Sequence, residues 1–264
     1  MYPYLFKIGP FHAGSYGAML ALGFLTTWYL LMKEMKRTNL NPEYASTIII
    51  SAMIGGVLGA KIYFLVQHWR DVVADPAGMI FTGNGLVWYG GLIGGALAVL
   101  WTIKKKNLPF VFTVDLIAPL LALGYVFGRM GCQLAGDGDY GIPSNLPWAM
   151  SYPNGLVPTI VRVHPTPVYE MIAFLVIFAI LWSMRKANKP VGYLFSYYLI
   201  LAGIERLLVE FIRLNHVVWL GLTEAQLVSI VMMIAGSFWL AKLEYRKLKM
   251  RCSCNSNLQE TASR

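Results

Sequence analysis

The chain has 264 residues, 57% hydrophobic and only 13% charged, with a formal net charge of +9. A soluble domain carries about 25% charged residues, so this balance excludes an ordinary soluble globule and indicates a polytopic membrane protein. The basic residues recur in short clusters between apolar runs, as cytoplasmic loops near anionic headgroups do, and so give no nucleic-acid recognition face.

The first apolar run follows Lys7, extends to Met32 and ends in Lys33, Lys36 and Arg37. Its length is about the ~20 residues that a spanning helix needs, and no small-residue cleavage site follows, so it predicts a retained anchor. Continuing along the chain, the pattern predicts seven spans, at about 13–32, 45–67, 86–103, 112–132, 166–184, 191–212 and 223–241. The expected fold class is therefore an all-α integral membrane protein of seven transmembrane helices.

Every second connection is basic: Lys33/Lys36/Arg37, Lys104/Lys105/Lys106 and Arg185/Lys186/Lys189, then the tail with Lys242, Arg246, Lys247, Lys249 and Arg251. The others hold little more than Arg70, Arg162 and Arg213. The positive-inside rule then predicts an outer N-terminus and a cytoplasmic C-terminus. The longest connection, about 133–165, lies outside between the fourth and fifth helices and is rich in Gly, Pro, Asp and Asn, which reads as a lid or binding element. Residues 1–245 read as one transmembrane domain and 246–264 as a polar cytoplasmic tail without regular structure.

Small residues recur at spacings of four: Gly55/Gly59, Gly90/Gly94, Gly91/Gly95 and Gly124/Gly128. Such pairs let two helices approach closely in lipid, and Gly90-Gly91 after Tyr89 also permits a headgroup to approach the backbone. Cys132 reads as a small packing residue, with a nucleophile as the alternative. The isolated pair Cys252 and Cys254 has little of the ligand spacing of a zinc site, and no metal or other cofactor is expected.

Two arginines lie within apolar segments. Arg129 sits in Gly128-Arg129-Met130-Gly131-Cys132, and Arg206 begins a run in which Glu210 and Arg213 follow at i+4 and i+7 on one helix face. An arginine at the bilayer centre costs roughly 2.5–3.5 kcal/mol on insertion scales, so it faces a partner, a cavity or a substrate. Guanidinium groups take phosphate through two parallel hydrogen bonds, and a low dielectric leaves the attraction weakly screened. Arg129, Arg206 and Arg213 thus predict an anion site with Glu210 as orienter, and Lys61 adds a cation that either snorkels or joins the pocket. A purely structural buried ion pair and an anion transporter remain open on these residues alone.

The chain resembles the prolipoprotein diacylglyceryl transferase family over about residues 9–243. The resemblance rests on His12-Ala13-Gly14-Ser15-Tyr16-Gly17, on Gly55-Gly56-Val57-Leu58-Gly59-Ala60-Lys61 and on Tyr89-Gly90-Gly91-Leu92-Ile93-Gly94-Gly95. It continues through Asp115-Leu116-Ile117-Ala118-Pro119 to Gly128-Arg129-Met130-Gly131, then His164-Pro165-Thr166-Pro167-Val168-Tyr169-Glu170, and then Glu205-Arg206 to Arg213. Tyr89, Cys132, Ala135 and Lys61 stand where the family commonly has histidine, two asparagines and arginine, and Asp137 or Asp139 stands roughly where a glutamate is usual.

The resemblance implies an enzyme of the bacterial inner membrane. It would move diacylglycerol from phosphatidylglycerol to the lipobox cysteine of a prolipoprotein signal peptide, forming a thioether and releasing glycerol phosphate. A relative that binds lipid without catalysis is the alternative. Arg129 and Arg206 match the two essential family arginines, and Tyr16 and Glu210 match further functional positions. Tyr89 is expected to position substrate as a hydrogen-bond donor. Arg129, Arg206, Glu210 and Tyr89 form the expected catalytic set, with Tyr16, Lys61, Gly90, Gly91, Asp137, Gly141 and Arg213 on the substrate. His12, His68, His164 and His216 all fall near outer ends of spans, where surface or capping roles are expected.

Overall fold

The computed structural model describes residues 1–8, 11–81, 87–187, 189–215, 217–219 and 221–262, leaving aside the side chains of 6–8, 11–13, 81, 217, 219 and 250–262. In chain order the elements are β1 (Tyr4–Ile8), β2 (Phe11–Gly14), α1 (Ser15–Arg37), α2 (Glu43–Gln67), α3 (Trp69–Ala74), α4 (Pro76–Phe81), α5 (Trp88–Lys105) and α6 (Phe110–Ala135). They continue as β3 (Met150–Tyr152), β4 (Thr159–Val163), α7 (Thr166–Met184), α8 (Tyr193–Glu210), β5 (Val217–Trp219), β6 (Leu222–Thr223) and α9 (Glu224–Ala262). Among the described residues the strands form three separate antiparallel pairs, so the protein is mostly helical with small β ribbons before α1 and at two connections.

Each apolar stretch read from the sequence overlaps one long helix, and α7 coincides with the expected 166–184. Among the described residues, five helices are long and apolar enough to cross a membrane: α1, α2, α6, α7 and the Glu224–Lys249 part of α9. Helices α5 and α8 have 18 residues each. Their apolar character is diluted by glycines and terminal lysines in α5, and by Glu205, Arg206 and Glu210 in α8. The connection after α2 contains the short helices α3 and α4. Helix α9 continues to Ala262, so its backbone runs as helix through a tail expected to lack regular structure. No Gly or Pro interrupts the chain between Gly236 and Ala262, and nothing local stops the helix. His216 lies outside the described residues, as do the side chains of His12, Cys252 and Cys254.

The chain forms two compact units, residues 28–113 and residues 1–27 with 114–264. In the first, α2 and α5 meet along a seam of glycines. A Cβ on Gly59 would lie 2.3 Å from the Gly90 carbonyl oxygen, and one on Gly94 would lie 2.3 Å from that of Gly55. The seam is closed at its side by Ser51 Oγ and Thr102 Oγ1 at 2.7 Å, and Trp28 Nε1 donates to Ser46 Oγ at 2.9 Å. Without water to separate backbones, small residues are what allow such close packing in lipid.

In the second unit, α6, α7 and α8 share a core of Ala122, Val126, Phe174, Ile177, Leu181 and Ala202. Helix α9 packs on α8 at Gly203, where a Cβ would meet Met233 Cγ at 2.7 Å and the Ser229 carbonyl oxygen at 2.9 Å. The start of α8 is held by α6: Asp115 accepts from the backbone N–H groups of Gly192 (2.5 Å) and Phe195 (2.9 Å). Those N–H groups have no partner within their own helix, and a carboxylate satisfies them and complements the positive helix end. Asp115 thereby sets how α8 lies against α6.

The connection between α6 and α7 is tied together by its own contacts. Strands β3 and β4 pair, Tyr140 stacks on Tyr152 with ring centroids 4.2 Å apart, and Arg162 donates to the carbonyls of Leu146, Pro147 and Ala149. Gly136 has φ +62°, and a Cβ there would lie 2.7 Å from Gly155 Cα, so glycine is required twice over at this turn. Leu156 N–H donates to the Ala135 carbonyl at 2.9 Å, tying the connection to the end of α6. Burial pushes the Tyr152 hydroxyl up to about 12.

Candidate active site

Three helix ends and one turn converge in the second unit. The last turns of α6 present Tyr125 and Arg129, which lie one above the other at i and i+4. The first turns of α7 present Thr166 and Glu170, the end of α8 presents Arg206 and Glu210, and Arg213 follows directly after it. The turn after α6 contributes Asp139.

Glu170 is at the centre and fully buried. Its Oε1 accepts from Arg206 Nη1 at 3.1 Å and Arg213 Nη1 at 3.0 Å. Its Oε2 pairs with Arg129 Nε and accepts from Tyr125 Oη at 2.7 Å. Tyr125 Oη in turn accepts from Arg129 Nη2 at 2.7 Å.

Asp139 bridges two of the arginines, pairing with Arg129 Nη1 and with Arg213 Nη2 at 2.6 Å, while its carbonyl accepts from Thr166 Oγ1 at 2.5 Å. Glu210 Oε2 lies 3.2 Å from Arg206 Nη2 and 3.9 Å from Arg213 Nε. Its Oε1 accepts from Asn215 Nδ2 at 2.6 Å and Thr223 Oγ1 at 2.7 Å.

Three guanidinium groups therefore face three carboxylates, an arrangement with no net charge. Each carboxylate touches two or more arginines, so none of the cations stands uncompensated in a low dielectric. Arg206 is the most open of the three, its side chain 23% exposed against 12% for Arg129 and 8% for Arg213. Burial works against ionisation of Asp139, but Arg129 and Arg213 beside it hold its carboxyl below the usual carboxylate range.

The predicted residues divide between the two units. Arg129, Arg206, Glu210 and Arg213 lie together around Glu170. Gly141 fits beside them because its backbone bridges to Arg213; a Cβ there would lie 2.4 Å from the Ile212 carbonyl oxygen. The Tyr16 ring packs on Gly131 of α6, where a Cβ would lie 2.9 Å from Tyr16 Cδ2. Asp137 accepts from the Asp139 N–H at 3.3 Å and shapes the turn. Ligand atoms of Asp137, Asp139 and Cys132 lie within 4.8 Å of one another, but both Asp139 oxygens are taken by arginines, which leaves no open chelate.

Lys61, Tyr89, Gly90 and Gly91 belong to the unit formed by residues 28–113. Lys61 Nζ lies 5.3 Å from the Phe64 ring centroid, and Tyr89 meets Trp88 edge-on at 5.2 Å. Gly90 is a packing glycine, since a Cβ on it would lie 2.4 Å from the Gly59 carbonyl oxygen and 2.4 Å from Tyr63 Cβ. His164 Nδ1 lies 3.2 Å from Tyr169 Oη, and His68 Nδ1 lies 3.1 Å from the Phe64 carbonyl.

Sequence reasoning missed Glu170 as a site residue, and with it Tyr125. The signal was present. Glu170 is an acidic residue in the first turns of an apolar span, and the argument used for the arginines applies to it equally.

A model of the prolipoprotein diacylglyceryl transferase family matches residues 3–242. Three relatives named phosphatidylglycerol–prolipoprotein diacylglyceryl transferase show the same likeness. One from Clostridium tetani is 40% identical over 215 residues, covering 81% of this chain and 86% of the relative. One from Finegoldia magna is 33% identical over 235 residues, covering 88% and 91%. One from Leptospira interrogans is 31% identical over 280 residues, covering 86% and 88%. With nearly the whole length matched, and the motif arginines Arg129 and Arg206 joined to one buried glutamate, the chain belongs to the prolipoprotein diacylglyceryl transferase family.

Proposed function

We propose that the protein transfers the diacylglyceryl group of phosphatidylglycerol to the lipobox cysteine thiol of a prolipoprotein, releasing glycerol phosphate and leaving a thioether. The observation that carries this reading is the convergence of Arg129, Arg206 and Arg213 on Glu170. The reaction breaks a carbon–oxygen bond and leaves the electron pair on a phosphate oxygen. Fixed cations aimed at that oxygen lower the barrier, because they need no reorganisation as charge develops. The carboxylates hold the guanidinium forks in place before substrate arrives, and Arg206, the most open of the three, is the first to meet a phosphate.

The same cations favour the thiolate of the incoming cysteine, since a thiol with pKa about 8.5 ionises more readily beside positive charge. Tyr16, Asp137 and Gly141 form the substrate side nearest the cluster. Tyr89 positions substrate by donating a hydrogen bond, with Lys61 and Gly91 beside it. The chain is a multi-pass protein of a bacterial inner membrane with seven spans, the shorter α5 and α8 included. Its N-terminus and the site lie on the outer side, and residues 246–264 form a cytoplasmic tail beyond the catalytic domain of residues 1–245. The alternation of basic connections supports this orientation.

The test is reconstitution of the purified protein with phosphatidylglycerol and a lipobox peptide. A diacylglyceryl mass gain on the cysteine, with release of glycerol phosphate, is the expected result. A peptide of unchanged mass would overturn the reading.

A further inference from the structure

One buried charge-bearing group has no place in the cluster just described. Glu205, in the last turns of α8, is 7% exposed, and neither carboxylate oxygen has a hydrogen-bond partner among the described residues. Buried carboxylates are ordinarily satisfied, so an orphan beside a reactive site calls for a role.

Its direction on the helix narrows that role. Gly203, two residues earlier and so about 200° around the axis, faces α9. Glu205 therefore points the other way, with Leu201 and Ala202, toward the core shared by α6 and α7. From those elements and its own it feels the carboxylate of Glu170 and the guanidinium groups of Arg206, Arg129 and Arg213. Tyr125 of α6 is already committed to Glu170 and Arg129, and Tyr198 shares the face of Glu205 about two turns earlier.

The transfer requires that a thiol lose its proton, and the other carboxylates are poorly placed to take it. Glu170 and Asp139 have their oxygens on arginines, and Glu210 holds Oε1 on Asn215 and Thr223 with Oε2 3.2 Å from Arg206 Nη2. Neither described histidine ring is bonded into the cluster: His164 is engaged with Tyr169, and His68 with the Phe64 carbonyl. Of these carboxylates, Glu205 is the one with neither oxygen hydrogen-bonded among the described residues, so both are free to accept a proton.

We propose that Glu205 takes the proton of the acceptor thiol, an inference that rests on the transferase reading above. The S–H bond breaks and its proton passes to a Glu205 oxygen. The sulfur lone pair forms the bond to the glyceryl carbon, and the carbon–oxygen bond breaks with its electrons on the phosphate oxygen held by the arginines. The proton then leaves Glu205 with the departing glycerol phosphate, so the carboxylate is regenerated without any further reactant.

The experiment compares wild type, Glu205→Gln and Glu205→Asp in phosphatidylglycerol vesicles with a lipobox peptide, over about pH 6 to 9.5. Glu205→Gln is expected to slow turnover about tenfold or more near pH 7 with KM for the lipid unchanged. The deficit should shrink as pH passes about 8.5, where the thiol ionises unaided. Glu205→Asp should keep part of the rate and the pH dependence.

A second arm uses the wild type alone, in case the variants fail to insert. Dicyclohexylcarbodiimide, which reacts with protonated carboxyls in apolar surroundings, should modify Glu205 in step with loss of transfer. Wild-type turnover by Glu205→Gln, an equal deficit at every pH, or modification of Glu205 with transfer retained would each overturn the proposal. If the wild type transfers nothing, the functional reading itself fails, whereas transfer by wild type and Glu205→Gln alike removes only the role of Glu205.

Discussion

The α2–α5 seam and the arginine cluster solve opposite problems in the same apolar solvent. The seam holds two helices together by leaving side chains out: at Gly59 and Gly94 the partner backbone occupies the space a Cβ would fill. The cluster holds three helices and a turn together by placing full charges inside, and it is tolerable only because each cation meets two or more acceptors. One region is specified by shape and the other by charge balance. They should therefore fail in different ways when altered.

The largest effect is expected at Glu170, where one substitution strips three arginines of a shared partner. Removing one member of a buried ion pair costs about 3–5 kcal/mol, so Glu170→Ala should abolish transfer and lower thermal stability in detergent. Transfer and melting temperature near those of wild type would remove Glu170 from the centre of the network. Arg129→Lys and Arg206→Lys keep the charge and lose the planar fork. Each should slow transfer about ten- to a hundredfold at equal membrane abundance, from loss of about 1.5–3 kcal/mol of charge-assisted contact. An unaffected rate in either would mean that its geometry is dispensable.

The seam answers to volume alone. Gly59→Ala forces a Cβ against the Gly90 carbonyl oxygen and should cost about 1–3 kcal/mol, read as lost abundance and a lower melting temperature. Gly128→Ala, where a Cβ would meet nothing within 4 Å, should leave both unchanged. Equal sensitivity at the two positions would show that the glycines act through something other than contact.

The smallest effect concerns pH. Asp139 has a carboxyl lowered by Arg129 and Arg213, so its contribution to stability is fully present above the unfolded value of about 3.9 and fades as pH falls through the lower folded value. The side chain is 34% exposed, so solvent screening keeps the contribution modest. Asp139→Asn should lower the melting temperature modestly near neutral pH and flatten the acid limb, so that the gap to wild type closes as pH falls. A variant that melts in parallel with wild type at every pH would assign the acid sensitivity to other groups.

Much of this molecule is determined by its sequence alone. Apolar runs of spanning length set the long helices, because in lipid each must satisfy its own backbone hydrogen bonds, and α7 matches its expected limits. Glycines four apart announced the α2–α5 seam, and arginines inside apolar segments announced the site, because both signals are local and carry a large energetic penalty if unused.

What joins residues distant along the chain was decided only by the tertiary structure. Glu170 lies 41 positions from Arg129 and 43 from Arg213, and nothing in the local pattern of α7 says that it meets either. Asp115 reads as an isolated acid in an apolar helix until it is found holding the N–H groups of Gly192 and Phe195. Gly90 reads as one of several packing glycines that also permits a headgroup contact, and only the fold places Gly59 opposite it. The physical reason is the same in each case: periodicity and composition report how a segment meets its solvent, whereas the partner of a charge or a missing Cβ is set by packing between segments.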